Sequence, residues 1–277
     1  LLYLGDSVTF GYRLPDYEEA YPFVVEQILE SQIGTDIETV NAAVGGYSPW
    51  QELAYLRTEG LKYQPDAVVI GFVLNDVTEK FRLIRFGGED LGYQLSHSYL
   101  SVADWLRRNS AVYVALQRLR ARLRFGSDIQ KGAVARERAN VVDLAKRPNK
   151  PSVQHAWSVT LQNLEELISL CRAHEIAVVV VVFPSLFQFD APATLSAPQA
   201  RVSSFCTTNS IPCLDLLPPL AGHLQKGRKQ PDDLFLDRNH PSAEGNRVVG
   251  EMLAAFLRSE PSVWAHIVKQ AGVEQTD

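Results

Sequence analysis

The sequence predicts an α/β protein of the flavodoxin-like type: three layers, with a five-stranded parallel sheet in the order 2-1-3-4-5 between helices, plus a helical insertion. Three observations carry this prediction. Short apolar runs alternate with longer stretches of helical periodicity, the pattern of a parallel sheet covered on both faces. The longest run, Ile176 to Phe183, is rich in valine and too short to span a membrane. Polar residues able to do chemistry follow the first three runs directly, at the sheet edge where open α/β folds bind ligands.

Leu1-Leu2-Tyr3-Leu4 reads as the first strand. From Tyr17 to Ser31, apolar residues at Tyr21, Val24, Val25, Ile28 and Leu29 give helical spacing. Strand two lies near 36–41, and Pro49 to Gln64 reads as helix. Strand three runs near 66–73. A long helix covers about 152–175, with Leu161, Leu164, Leu167, Ile168 and Cys171 on one face. Strand four is 176–183, Pro198 to Asn209 is helical, and Ile211 to Leu216 is strand five. Ser242 to Arg258 closes the domain, with Val248, Val249, Met252, Leu253 and Phe256 facing the core.

The domain is thus expected over 1–259, with 260–277 as a terminal helix or tail. It is interrupted at about 77–150, a stretch longer than a crossover needs. Tyr99 to Arg108 and Ala111 to Phe125 are plausible helices there, and Glu137 to Lys150 reads as a polar loop. From Arg107 to Lys150 there are twelve Lys and Arg against three Asp and Glu, about +9 in a chain of net charge −5. Residues 111–125 mix Val112, Val114, Leu116, Leu119 and Leu123 with Arg118, Arg120, Arg122 and Arg124. A basic amphipathic helix of this kind suits peripheral contact with an anionic membrane or an acidic partner; the blander reading is a solvated helix packing its apolar side on the domain with its arginines outside.

Four blocks concentrate the chemistry. Gly5-Asp6-Ser7 follows strand one, and Asn41-Ala42-Ala43-Val44-Gly45-Gly46-Tyr47 follows strand two. Asn75-Asp76 ends strand three, and Asp237-Arg238-Asn239-His240-Pro241 precedes the last helix. A serine hydroxyl needs a base to take its proton as it attacks. His240 is the candidate base, and Asp237 is close enough in sequence to orient the ring. Pro241 restricts His240 to extended backbone and suits a first helical position. Gly45-Gly46 permits close approach of backbone to a ligand. Each block alone reads as an ordinary turn or cap; their joint occurrence, in order, after three strands, does not.

This arrangement resembles the GDSL family, also called SGNH hydrolases, which are serine esterases and lipase-like enzymes. The resemblance implies that Ser7, Asp237 and His240 are catalytic. It implies an oxyanion hole made of the Ser7 and Gly46 backbone N–H groups and the Asn75 side-chain amide. It also implies an acyl-enzyme route to ester hydrolysis. An O-acyltransferase using the same triad on a sugar or lipid acceptor is the alternative, followed by a catalytically inactive SGNH-like binding module. One departure stands out. The family's third block usually reads Gly-x-Asn-Asp, whereas here Val73-Leu74-Asn75-Asp76 places Val where Gly is usual, with Gly71 two residues earlier. Asp6 and Asp76 are expected to brace loops. Phe10, Tyr12, Tyr47 and Trp50 lie near the blocks and suit either a pocket lining or the core.

The 277 residues, 46% hydrophobic and 21% charged, are enough for one large domain. The net charge gives no argument for nucleic-acid binding. Histidines 97, 155, 174, 223 and 266 show no metal spacing, and no Walker or Rossmann glycine loop is present, so neither cofactor nor metal is expected. Cys171, Cys206 and Cys213 are expected to be free thiols. The sequence opens at Leu1, inside a strand and without Met. The native N-terminus is therefore expected upstream, and cytoplasmic and exported forms both stay open.

Overall fold

The computed structural model describes residues 1–78, 110–113, 115–116 and 139–270. The chain divides into two compact units, Leu1–Glu79 with Val141–Asp277, and Lys80–Asn140. In the first unit five strands, β1 (Leu2–Gly5), β2 (Val40–Asn41), β3 (Ala67–Phe72), β4 (Ala177–Val182) and β5 (Cys213–Asp215), form one sheet in the order β2-β1-β3-β4-β5. Every pairing is parallel. The expected class and strand order are those observed.

Side chains alternate across a strand, so each strand feeds two cores. Tyr3, Val69, Val179 and Val181 belong to a core completed by Tyr21, Val25 and Leu29 of α2 (Tyr21–Ile33) and by Val248, Val249 and Leu253 of α8 (Ala243–Ser259). On the opposite side, Phe72 stacks on Trp157 of α4 (Pro151–Ala173) at 6.1 Å. Helix α3 (Pro49–Thr58) packs against α4 and buries Leu53 and Leu56. The central strands are wholly buried, which is why they read as unbroken apolar runs.

Element ends follow local chemistry. The expected helix from Tyr17 is in fact two pieces. A 3₁₀ turn, Tyr17–Glu19, is capped by Asp16, and α2 starts only at Tyr21, after Ala20 in extended backbone and with Pro22 in its first turn. Helix α3 stops at Thr58; Gly60 then packs so closely on Leu56 and Leu2 that a Cβ there would lie 2.9 and 3.1 Å from their methyls. The expected polar loop over 137–150 is corrected in part. Residues 139–146 are helical, Val141, Leu144 and Ala145 are buried, and Lys150 reaches Asp143 at 2.7 Å. Helix α7 (Leu217–Gly227) adds to the expected elements; Pro218 and Pro219 occupy its first turn, where no N–H is needed. Short helices α1 (Ser7–Phe10) and α5 (Pro192–Leu195), then α6 (Ala197–Thr208) and α9 (Pro261–Gln270), complete the unit. Of the basic helix expected over 111–125, residues 111–113 and 115–116 are helical and Val112 and Leu116 are exposed; its four arginines lie outside the described residues. The helix expected over 99–108 lies outside them too. Among the described residues no helix is long and apolar enough to cross a membrane.

The β1–β3 register sets Gly5 opposite Gly71, and Thr9 fills the space over both. A Cβ on Gly71 would lie 2.1 Å from the Thr9 hydroxyl and 2.8 Å from that of Tyr21, two groups 3.0 Å apart. Gly71→Ala is therefore expected to destabilise the fold by about 1–3 kcal/mol. Thr9→Ala in the same chain should recover part of the loss, measured as non-additive shifts of the urea midpoint.

Candidate active site

The sequence separates Ser7 from His240 by 233 residues, and the fold brings them into contact. Ser7 begins α1 at the carboxyl end of β1, with Asp6 as N-cap accepting from the Val8 N–H at 2.8 Å. Its Oγ lies 2.8 Å from His240 Nε2. On the other side of the ring, His240 Nδ1 lies 2.8 and 2.9 Å from the two Asp237 carboxylate oxygens. Asp237 also accepts from the backbone N–H groups of Asn239 and His240, both at 3.1 Å, so the loop winds around its own carboxylate.

That loop is tied from outside. The Leu186 N–H donates to Arg238 O, and the Ser185 hydroxyl to Asn239 Oδ1, so the turn after β4 grips it. Leu236 N–H donates back to His240 O, and Phe235 and Pro241 form an antiparallel bridge. Pro241 therefore does not open the helix as expected. Ser242 is the N-cap, accepting from the Gly245 N–H, and α8 begins at Ala243. Gly245 is required there, since a Cβ would lie 2.1 Å from Leu234 O. Buried Asn246 donates to Pro241 O and accepts from the Tyr21 N–H, locking the loop to the start of α2.

The third block reaches Ser7 through Asp6. Asn75, buried in a 3₁₀ turn after β3 (Leu74–Val77), donates its amide to Asp6 Oδ2 at 2.8 Å. Asp76 accepts from the Val73 N–H at 2.8 Å. Both aspartates thus brace loops. Val73 has an ordinary φ of −116° and lies in the apolar core, so the position needs no glycine. The required glycine is Gly71, under Thr9. The second block makes a turn closed by the Tyr47 N–H on Val44 O, and Gly46 takes φ +82° at its third position. Val44 is bonded to Gly5, and a Cβ on Gly45 would stand 3.8 Å from that of Ser7, so this turn lies beside the serine.

Electrostatics divides the three carboxyls. Burial works to raise the Asp237 pKa, but its hydrogen bonds from the Asn239 and His240 backbone, and His240 itself, hold it below the usual range. Asp237 is therefore ionised beside the imidazole. Burial pushes the Asp6 carboxyl up, opposed by its bonds from Asn75 and Val8. Glu52 of α3 is the member that sequence reading missed. It is 1% exposed, and neither carboxyl oxygen has a hydrogen-bond partner among the described residues. Burial, with Asp6 adding to it, pushes it to about 8.

Sequence reading also missed Arg13. Its guanidinium lies 3.6 Å from Asp237 Oδ2, and Tyr12 packs on His240 at 4.9 Å between ring centroids. Tyr12 and Phe10 are exposed rather than core residues. No sequence signal marks Arg13, because its role arises only from the turn geometry. Among the described residues no group of three or more His, Cys, Asp or Glu is placed to hold a metal ion.

Comparison with known proteins follows this geometry. Residues 3–248 match the model of the GDSL-like lipase/acylhydrolase family. The chain is similar to a two-domain esterase active on acetylated mannans, crystallised with mannopentaose, at 16% identity and TM-score 0.55. That match covers 94% of this chain and 48% of the other, so the chain spans about half the length of the two-domain esterase. It is also similar to a catalytic mutant of an acetylxylan esterase from Geobacillus stearothermophilus, at 14% identity and TM-score 0.55, over 92% of each chain. A third similar structure is an α/β hydrolase enzyme from the metagenome of Lake Arreo, Spain (14% identity, TM-score 0.55, 92% of this chain and 93% of that one). At such identities the likeness is one of fold. No curated protein sequence matches the chain.

The raised Glu52 pKa has a signed consequence for stability. The folded state holds this proton more tightly than the unfolded chain, so stability falls as pH rises from the ordinary glutamate value of 4.5 through about 8. Glu52→Gln should flatten that decline. Urea midpoints measured from pH 5 to 9 should fall less steeply in the variant than in the native chain.

Proposed function

The chain belongs to the GDSL-like lipase/acylhydrolase family, and from that premise we propose that it hydrolyses a carboxylic ester through an acyl-enzyme on Ser7. The observation that carries this reading is the continuous chain Ser7 Oγ–His240–Asp237, with contacts of 2.8, 2.8 and 2.9 Å. Ser7 Oγ attacks the ester carbonyl as His240 Nε2 takes its proton. Ionised Asp237 fixes the tautomer with the proton on Nδ1 and stabilises the imidazolium. The tetrahedral oxyanion is met by the Ser7 and Gly46 backbone N–H groups and by Asn75. Asp6 accepts from the Asn75 amide and orients it. Collapse expels the alcohol, which leaves with the proton from His240. Water then repeats the sequence on the acyl-enzyme and regenerates Ser7.

Asp6 and Asn75 support this reading as a unit. Preorganised donors stabilise an oxyanion best when they need no rearrangement at the moment of reaction. Asn75 is held by a buried carboxyl rather than by solvent, which fixes its amide before substrate arrives. The substrate class we infer is an acetylated carbohydrate, since one similar structure is an esterase active on acetylated mannans and another is a mutant of an acetylxylan esterase. Transfer of the acyl group to a sugar or lipid hydroxyl uses the same intermediate, and product analysis with an added acceptor separates it from hydrolysis.

The deciding experiment is fluorophosphonate labelling with peptide mapping, which should place the adduct on Ser7. Ser7→Ala should abolish labelling and lower turnover by about a thousandfold or more, with an unchanged urea midpoint. Asn75→Ala should lower kcat by on the order of a hundredfold, with a smaller change in KM. An effect confined to KM would make Asn75 a ground-state binding residue.

A further inference from the structure

Two consecutive residues outside the four sequence blocks converge on the base and its carboxylate. The turn from Gly11 to Leu14 is closed by the Leu14 N–H on Gly11 O, and Arg13, its third position, has φ +69°. This left-handed conformation disfavours any side chain with a Cβ, and glycine or asparagine is the usual occupant. The chain keeps an arginine here, and a strained residue beside a functional site is a pointer to use. The turn sends the two side chains to adjacent targets. The Tyr12 ring lies tilted on the His240 ring, at 4.9 Å. The Arg13 guanidinium lies over the Tyr12 ring at 5.4 Å and reaches Asp237 Oδ2 at 3.6 Å. That oxygen is one of the two facing His240 Nδ1.

We propose that Tyr12 and Arg13 are positioning residues of the hydrolytic centre: Tyr12 fixes the plane of the His240 ring, and Arg13 sets the pH range over which that ring stays neutral and able to accept the Ser7 proton. The inference rests on His240 being the general base. Its physics is a balance of charges. Asp237, in its own loop, faces His240 Nδ1, and Asp6 stands at the β1–α1 junction beside Ser7. Arg13 is the cation placed against them. It opposes protonation of the ring directly and weakens the pull of Asp237 by sharing its oxygen. The pair is partly exposed, with Arg13 57% and Asp237 33% accessible at the side chain, so its contribution to folding stability is small. Solvent screening at this exposure still leaves a measurable titration effect, because a neighbouring unit charge in a mostly aqueous medium shifts a midpoint by about half a pH unit.

The test reads the ring itself. In the full chain, the His240 Cε1–H resonance, assigned by its loss in His240→Gln, is followed against pH by NMR. Arg13→Gln should move its midpoint about half a unit or more to higher pH, and the acid limb of kcat/KM should move with it. Arg13→Lys should restore most of the native midpoint, a rescue that a packing role would not produce. Arg13→Gly should show the Gln shift while matching or exceeding native stability in urea, since glycine relieves the turn. Tyr12→Phe should keep native kcat, and Tyr12→Ala should lower kcat by about tenfold or more with little change in KM. A His240 midpoint unmoved in Arg13→Gln, or moved equally in Arg13→Lys, overturns the role of Arg13. Native kcat in Tyr12→Ala overturns that of Tyr12. Because the NMR titration needs no turnover, its outcome is independent of the labelling that tests Ser7.

Discussion

The pairing of β1 with β3, Gly5 against Gly71, is the constraint on which the candidate site depends. It brings the ends of two strands level, so that Asp6-Ser7 and Asn75-Asp76 leave the sheet side by side. The bond from Asn75 to Asp6 follows from this alignment, as does the seating of Thr9 over two glycines. A parallel sheet with both faces buried tolerates no slip, because a shift by one residue would turn every side chain to the wrong layer. Rigidity at the centre of the sheet is thus passed directly to the serine and to the amide beside it.

The histidine is held by different means. No strand carries it. Its loop is fixed by bonds from the turn after β4, by a short antiparallel bridge, and by Asn246 reaching from α8 to the start of α2. Around this frame the chain buries carboxyl groups that a stability-optimised core would avoid. Asp6 is used, since it holds Asn75. Glu52 costs stability at neutral pH and above, and the nearby Asp6 charge adds to the upward push on its carboxyl. Departures from good packing practice therefore gather near the serine, as they do where function competes with stability.

The sheet and the four chemical blocks were legible in the sequence for one reason: local pattern and tertiary role coincide there. Buried parallel strands must be apolar throughout, and Ser7, Asn75 and the 237–240 loop must stand at strand or helix ends. Legibility failed where the two part. Residues 139–146 looked polar, yet Val141, Leu144 and Ala145 suffice for a buried stripe. Pro241 looked like a first helical residue and instead pairs with Phe235. Nothing local marks Glu52, and only the packing of α3 makes it a buried acid. Arg13 could not be read at all, because nothing local marks a turn whose value lies in the loop it meets.

The distance in sequence between Ser7 and His240 has a consequence in time. Residues near the amino end can pair into β1, β2 and β3 early, since most of their partners are local. The contact of Ser7 with His240, by contrast, closes a loop of more than two hundred residues, and contacts of that span form late because their entropy must be met before they return anything. During synthesis Ser7 and His240 can meet only once α8 has emerged and docked on α2, because Asn246 of that helix ties the histidine loop in place. The two side chains brought into contact thus wait on the docking of a helix that belongs to neither of their own turns.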